Sequence, residues 1–458
     1  MRRKRDDDRE VTRRSLIKWS LAAGAALGVS RSRIAEVLER AGGRGIAEAA
    51  TDVTTKRSVH VRAGTGGLSW FQLLWPQNDI AAAANPLFAW HLIGAHQTVN
   101  GTDRLLTRGA HTPFENLPPD RQITALMAGD VNEAHTNNPD TIVRSVDGAS
   151  MFAIAAALQS TNPSVIPAIA IGDVDFGTAP GAPGAERVQL GDDIVGLFNS
   201  AASRAGGLLE QSRHADLYEA HYAAIAGLNR AANRSTTRTS YATGRNAARF
   251  LGTNLAAELA ITQADLDLYG IDATMRPEVA EIGRTLIVAA KAFAHGLTNS
   301  VVVPGVRDDP HEAFNMPALR DNTALGLRRI FDGFLADLAT KIDDITGRPL
   351  SDDIVITIEG DTPKTPLQAD GWPDNTPGNS NLVYVFGSGH LKTGWFGGID
   401  RNGTVTGFDP ATGDPTANYD GELQAEAAVT AVAYALTGDI RRVQDISRLD
   451  ITGLIRSP

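Results

Sequence analysis

From Ile282 to Leu436 the apolar pattern switches repeatedly between a helical period and short continuous runs, and few folds accept that alternation. Ile282, Leu286, Ala290, Phe293 and Leu297 mark one helical face leading into the run Ser300-Val301-Val302-Val303. Leu327, Ile330, Phe331, Phe334, Leu335 and Leu338 then recur at helical spacing. The runs Ile354–Ile358 and Leu382–Phe386 follow, and a last helix spans about Gly421 to Leu436. A run that is apolar at every position is buried on both faces, so the pattern predicts an α/β fold whose mostly parallel central sheet is covered by helices on each side. Right-handed crossovers return each strand in the same direction, so the strands at 300–303, 354–358 and 382–386 are expected to be parallel neighbours.

Upstream the pattern is coarser. It gives a strand at Ser58–Arg62, a helix around Ser150–Gln159 and a strand at Val165–Ile171. Residues 191–298 read as almost wholly helical, which makes 191–280 a helical insertion within one domain spanning 50–458. The loop-rich tracts 172–187 and 360–380 are punctuation rich in Gly, Pro and Asp.

The first 49 residues are of a different kind. They carry a net charge of +5 in a chain of net charge -10, which leaves about -15 on the body. An acidic body repels phosphate backbones, and no basic groove is evident, so nucleic acid is excluded as a partner. Thr12-Arg13-Arg14-Ser15-Leu16-Ile17-Lys18 precedes a weakly apolar run from Trp19 to Val29, the pattern of a twin-arginine export signal. As a helix that run rises about 16 Å, too short for a stable membrane span. The expected partner is therefore the twin-arginine translocase, and the expected location the periplasm or cell envelope, with cleavage placed after Ala49. The absence of cysteine excludes disulfides, thiolate metal sites and a cysteine nucleophile.

In parallel sheets, ligands gather at the loops that leave the carboxyl ends of strands. The predicted strands single out 304–317, 359–380 and 387–398. The first contains Asp309 and His311, an Asp-x-His that can share one divalent cation or pair a carboxylate with a general-base histidine. The second opens on Glu359 and contains Asp361, Lys364, Asp370, Trp372 and Asp374. The third sets His390 and Lys392 among glycines. Further candidates by position alone are Thr65 and Ser69, beyond Gly64-Thr65-Gly66-Gly67, and His135. No Gly-x-Ser-x-Gly elbow, Walker loop, dinucleotide fingerprint or His-Glu-x-x-His occurs.

From about Gly283 to Gly438, the order of these segments resembles the twin-arginine-exported, sulfatase- and alkaline-phosphatase-like family called domain of unknown function 1501. The resemblance rests on Asp309 and His311, on Glu359 with Thr362-Pro363, and on Trp372-Pro373. It implies an alkaline-phosphatase-like three-layer sandwich, with Asp309, His311 and Glu359 as catalytic residues and Asp309, His311 and His390 as metal ligands. Departures accompany it. Pro310 stands for a threonine, Arg307 for an aromatic residue, and Asp370-Gly371 for an Asp-His pair, while the Gly64–Gly67 turn carries no aspartate. Two readings follow: a metal-dependent hydrolase of phosphate or sulfate esters whose degraded site holds at most one weakly bound divalent ion, or a non-catalytic cell-envelope binding or scaffold protein on the same fold, with a small-molecule or envelope ligand as partner.

Overall fold

The computed structural model describes residues 56–62, 75, 97–98, 105–106, 111–114, 122–129, 145–191, 193–196, 255–306, 317–343, 346–360, 380–387, 389–399 and 404–456. The chain divides into two compact units, 1–48 with 195–258 and 49–194 with 259–458. The architecture below is that of the second. The leader and most of the predicted insertion lie outside the described residues.

Eight strands form one sheet. In chain order they are β1 (Arg57–Arg62), β2 (Gln122–Ala128), β3 (Ala168–Ile171), β4 (Glu186–Val188), β5 (Ser300–Pro304), β6 (Ile354–Gly360), β7 (Asn381–Gly387) and β8 (Gly394–Phe396). Their spatial order is β8-β2-β7-β6-β1-β5-β3-β4. Pairing is parallel throughout except for β7, which runs against both β6 and β2. The sheet is thus mixed but mostly parallel, as the apolar runs predicted.

Four helices cover it: α1 (Met151–Leu158), α2 (Pro277–Ala294), α3 (Pro317–Thr340) and α4 (Gly421–Thr437). On one face α1 and α4 pack over Val302, Val355, Val383 and Val385. On the other, Phe114 bridges Phe386 of β7 and Phe331 of α3, and α2 packs against α3. Helix signals in the sequence act as expected. Pro277 occupies the first turn of α2, the Asp420 carboxylate caps α4 at the Leu423 N–H (3.1 Å), and Gly438 ends α4 in the left-handed region at φ 62°.

Two expectations fail. The strands β5 and β6 are not neighbours, because β1 lies between them and pairs in parallel with both. The strand β7 is antiparallel to β6, so its carboxyl end lies at the opposite edge of the sheet from theirs. Loops 304–317 and 359–380 leave one edge together, and loop 387–398 leaves the other.

Candidate functional site

Strand β1 reads Arg-Ser-Val-His-Val-Arg and is buried at every position, which is unusual for a segment with four polar side chains. The two-residue period of a strand sorts them. Ser58, His60 and Arg62 face α1 and α4, while Arg57, Val59 and Val61 face α2 and α3. On the second face, the two terminal nitrogens of Arg57 donate to Asn299 and, at 3.2 Å, to Asp343, a buried ion pair that ties β1 to the end of α3.

The first face carries a buried polar track. In register with β1, Ser58 lies beside Ser300, His60 beside Thr357, and Arg62 beside Glu359. Ser58 Oγ is 3.1 Å from Ser300 Oγ and 3.2 Å from Gln159 Oε1 at the end of α1. His60 Nδ1 is 2.7 Å from Thr357 Oγ1, and Nε2 is 3.1 Å from Ser58 Oγ. Burial pushes the His60 imidazole down to about 3, so it is neutral, with one nitrogen donating and the other accepting. The Phe152 ring of α1 lies 5.3 Å from His60 and 6.0 Å beneath the Arg62 guanidinium.

The track ends at the carboxyl edge in Arg62 and Glu359. Glu359 is fully buried, and neither carboxyl oxygen has a hydrogen-bond partner among the described residues. Burial raises its pKa to about 8 against the opposing pull of the Arg62 charge, so the carboxyl is protonated near neutrality. A neutral acid beside a guanidinium offers O–H and N–H donors to the same incoming group. Of the predicted site residues, Glu359 is therefore where a catalytic acid would stand.

His390 is not with it. Glu359 is in register with Val383, so the end of β7 at Gly387 lies about 13 Å away along the strand, at the amino edge of β6. There the His390 ring packs edge-on to Tyr434 at 5.9 Å and against Gly438, and burial followed by the Lys56 charge lowers its pKa. The reversed direction of β7 puts His390 at the edge opposite Glu359, whereas Asp309 and His311, its expected partners around one cation, lie outside the described residues. Lys392 is likewise structural, donating from Nζ to the Gly453 carbonyl at 2.7 Å.

Asp309 and His311 lie outside the described residues, as do Thr65, Ser69, His135, Asp370, Trp372 and Asp374. The chain reaches that region from the carboxyl end of β5, where the Gly305 N–H donates to the Arg62 carbonyl. Among the described residues, no group of three or more His, Asp or Glu side chains could hold a metal ion. The unpartnered Glu359 oxygens are acceptors that a cation could use, but Arg62 stands beside them and both His60 nitrogens are engaged. The described donors thus do not fit a divalent ion.

Arg62 and His60 were not among the residues that the sequence singled out. The signal was present, in polar residues alternating through an otherwise apolar buried strand. No known protein family, curated protein or solved structure matches this chain.

Proposed function

We propose that this chain is an exported cell-envelope protein of the sulfatase and alkaline-phosphatase type that takes a phosphate or sulfate ester at the carboxyl edge of β1, β5 and β6. Arg62 holds the anionic group, a water molecule forms the new bond at phosphorus or sulfur as the ester bond breaks, Glu359 gives its proton to the departing oxygen, and the proton lost by the water restores the Glu359 acid. One observation carries the reading: a fully buried carboxyl with both oxygens unpartnered, placed beside an arginine at the edge where such folds bind ligands. No step is assigned to a metal ion.

The test is hydrolysis of an alkyl phosphate and an alkyl sulfate as a function of pH, with ligand binding measured separately. The rate is expected to fall as pH rises through about 8, where Glu359 loses its proton. Glu359→Gln should lose on the order of 100-fold in rate, the lower range for a general acid, and keep ligand binding. Arg62→Gln should lose binding. Equal rates in the wild type and both variants would overturn the assignment. The position of His390 at the far edge favours a second reading, in which the ester is bound and not turned over. Binding that depends on Arg62 without measurable hydrolysis would select it.

A further inference from the structure

The Gly- and Pro-rich tract 172–187 makes an unusual connection. It joins β3 to β4, which pair in parallel. A parallel pair needs a crossover of a dozen or more residues, as a rule a helix. Here residues 172–185 make the crossing with neither helix nor strand. They are nonetheless fixed in place. Val174, Phe176 and Ala182 are buried in the core formed with α1 and α4, Phe176 stacks on Phe152 at 6.4 Å, and the Thr178 carbonyl accepts from the Ser150 N–H at 2.9 Å. A long ordered loop packed by its own side chains is a common carrier of binding sites.

Between this crossover and the turn 146–149 opens a cleft of about 440 Å³, within the range of small-molecule sites. It is lined by Asp175, Phe176, Gly177 and Thr178 of the crossover, by Arg187 of β4 and by Gly148 of the turn. The turn is tight. The Ala149 N–H donates to the Val146 carbonyl at 2.8 Å, and the two residues between have positive φ, 49° at Asp147 and 72° at Gly148. A Cβ on Gly148 would meet nothing within 4 Å, so this wall of the cleft is bare backbone that a ligand can approach closely.

The charges of the lining decide the ligand. Asp175 and Arg187 form an ion pair at 3.9 Å, just beyond hydrogen-bond distance, with side chains 37% and 54% exposed. An anion entering the cleft meets the Asp175 carboxylate, and a cation meets the Arg187 guanidinium. The paired charges favour neither. A hydroxyl group is both donor and acceptor, so it can give its proton to the carboxylate while its oxygen accepts from the guanidinium. Two hydroxyls on neighbouring carbons can divide those roles. Thr178 adds a hydroxyl to the lining, and Phe176 with Ala185 adds apolar surface for a carbon skeleton. We propose that this cleft binds a neutral polyhydroxylated ligand, a sugar, held between Asp175 and Arg187. It shares no residue with the site of Arg62 and Glu359 and requires no turnover there.

The test is binding of the full-length chain to an array of neutral and sulfated glycans, at low and at high salt. Neutral glycans are expected to bind and to stay bound at high salt, since the paired charges of the site cancel. Asp175→Asn, which keeps an acceptor for the Gly177 N–H, and Arg187→Gln should each weaken that binding at least about tenfold, the loss of one charge-assisted hydrogen bond. Both side chains are partly exposed, so both variants should fold, which thermal unfolding checks. The absence of any neutral-glycan signal overturns the proposal, as do neutral glycans held equally by the wild type and both variants. Failure of the ester reading shows separately, as sulfated glycans that neither bind nor react while neutral ones stay bound.

Discussion

Two buried side chains on neighbouring strands titrate in opposite senses, and together they shape the stability of this fold against pH. His60 has a folded pKa near 3 against an ordinary 6.5. Between those values the unfolded chain binds more protons, so stability rises with pH and is lost as pH falls through that range. Glu359 has a folded pKa near 8 against an ordinary 4.5. Between those values the folded chain binds more protons, so stability falls as pH rises. Each slope is roughly 1.4 kcal/mol per pH unit, and the two cancel where they overlap. A broad stability maximum is therefore expected between pH 4.5 and 6.5, with losses on both sides. Glu359→Gln keeps the shape and removes the ionisation, so only the His60 slope should remain. Urea unfolding of this variant should then show stability climbing to about pH 6.5 and staying level to pH 9. A continued fall above pH 6.5 in the glutamine variant would place the alkaline loss elsewhere.

At the scale of elements, the sequence made strand positions legible and strand direction illegible. The buried runs at 300–303, 354–358 and 382–386 all became strands, each extended by one or two residues at its ends. An apolar run reads the same in either direction, however, and only the connection decides. The 24-residue helix α3 between β5 and β6 is the kind of crossover that parallel strands need. The tract 361–379 between β6 and β7 shows no helical period and is rich in Pro, Gly and Asp, so the antiparallel return of β7 could have been read from it. Strand β2 was hidden for another reason: Gln-Ile-Thr-Ala-Leu-Met-Ala holds residues that favour helices, and pairing with β7 overrides that preference. The reversal of β7 also explains what His390 does. Its ring covers the left-handed cap of α4, where a Cβ on Gly438 would meet ring atoms at 2.7 Å. Gly438→Ala should cost about 1–2 kcal/mol from backbone conformation alone, and crowding of His390 adds to it. Thermal unfolding checks this, and His390→Ala should recover only the crowding part. Ester hydrolysis should be indifferent to His390→Ala, because that residue lies at the far edge from Glu359.

For the molecule as a whole, the order in which the sheet can assemble bears on the proposed export of the chain. Strand β1 is one of the first described segments, yet its neighbours are β5 and β6, and Ser58 meets Ser300 across 242 residues. The middle of the sheet therefore cannot close until most of the chain is made, and such long-range pairing is slow to form. A chain of this kind suits a route that waits for folding. The Arg13-Arg14 pair and the weakly apolar run that follows it have the pattern of a twin-arginine signal, and the export proposed on that pattern would carry folded cargo. Replacing both arginines by lysine keeps the positive charge and removes the guanidinium pair, so an effect of charge alone would not change the outcome. The expected result is that the Arg13→Lys, Arg14→Lys chain accumulates in the cytoplasm as a folded, protease-resistant protein that retains the leader. Its central sheet forms from residues beyond 56, which the substitutions do not touch. Fractionation with a limited-protease assay separates the alternatives: normal arrival in the envelope would mean that the leader is read by another route, whereas a cytoplasmic but protease-sensitive chain would mean that the leader itself is needed for folding.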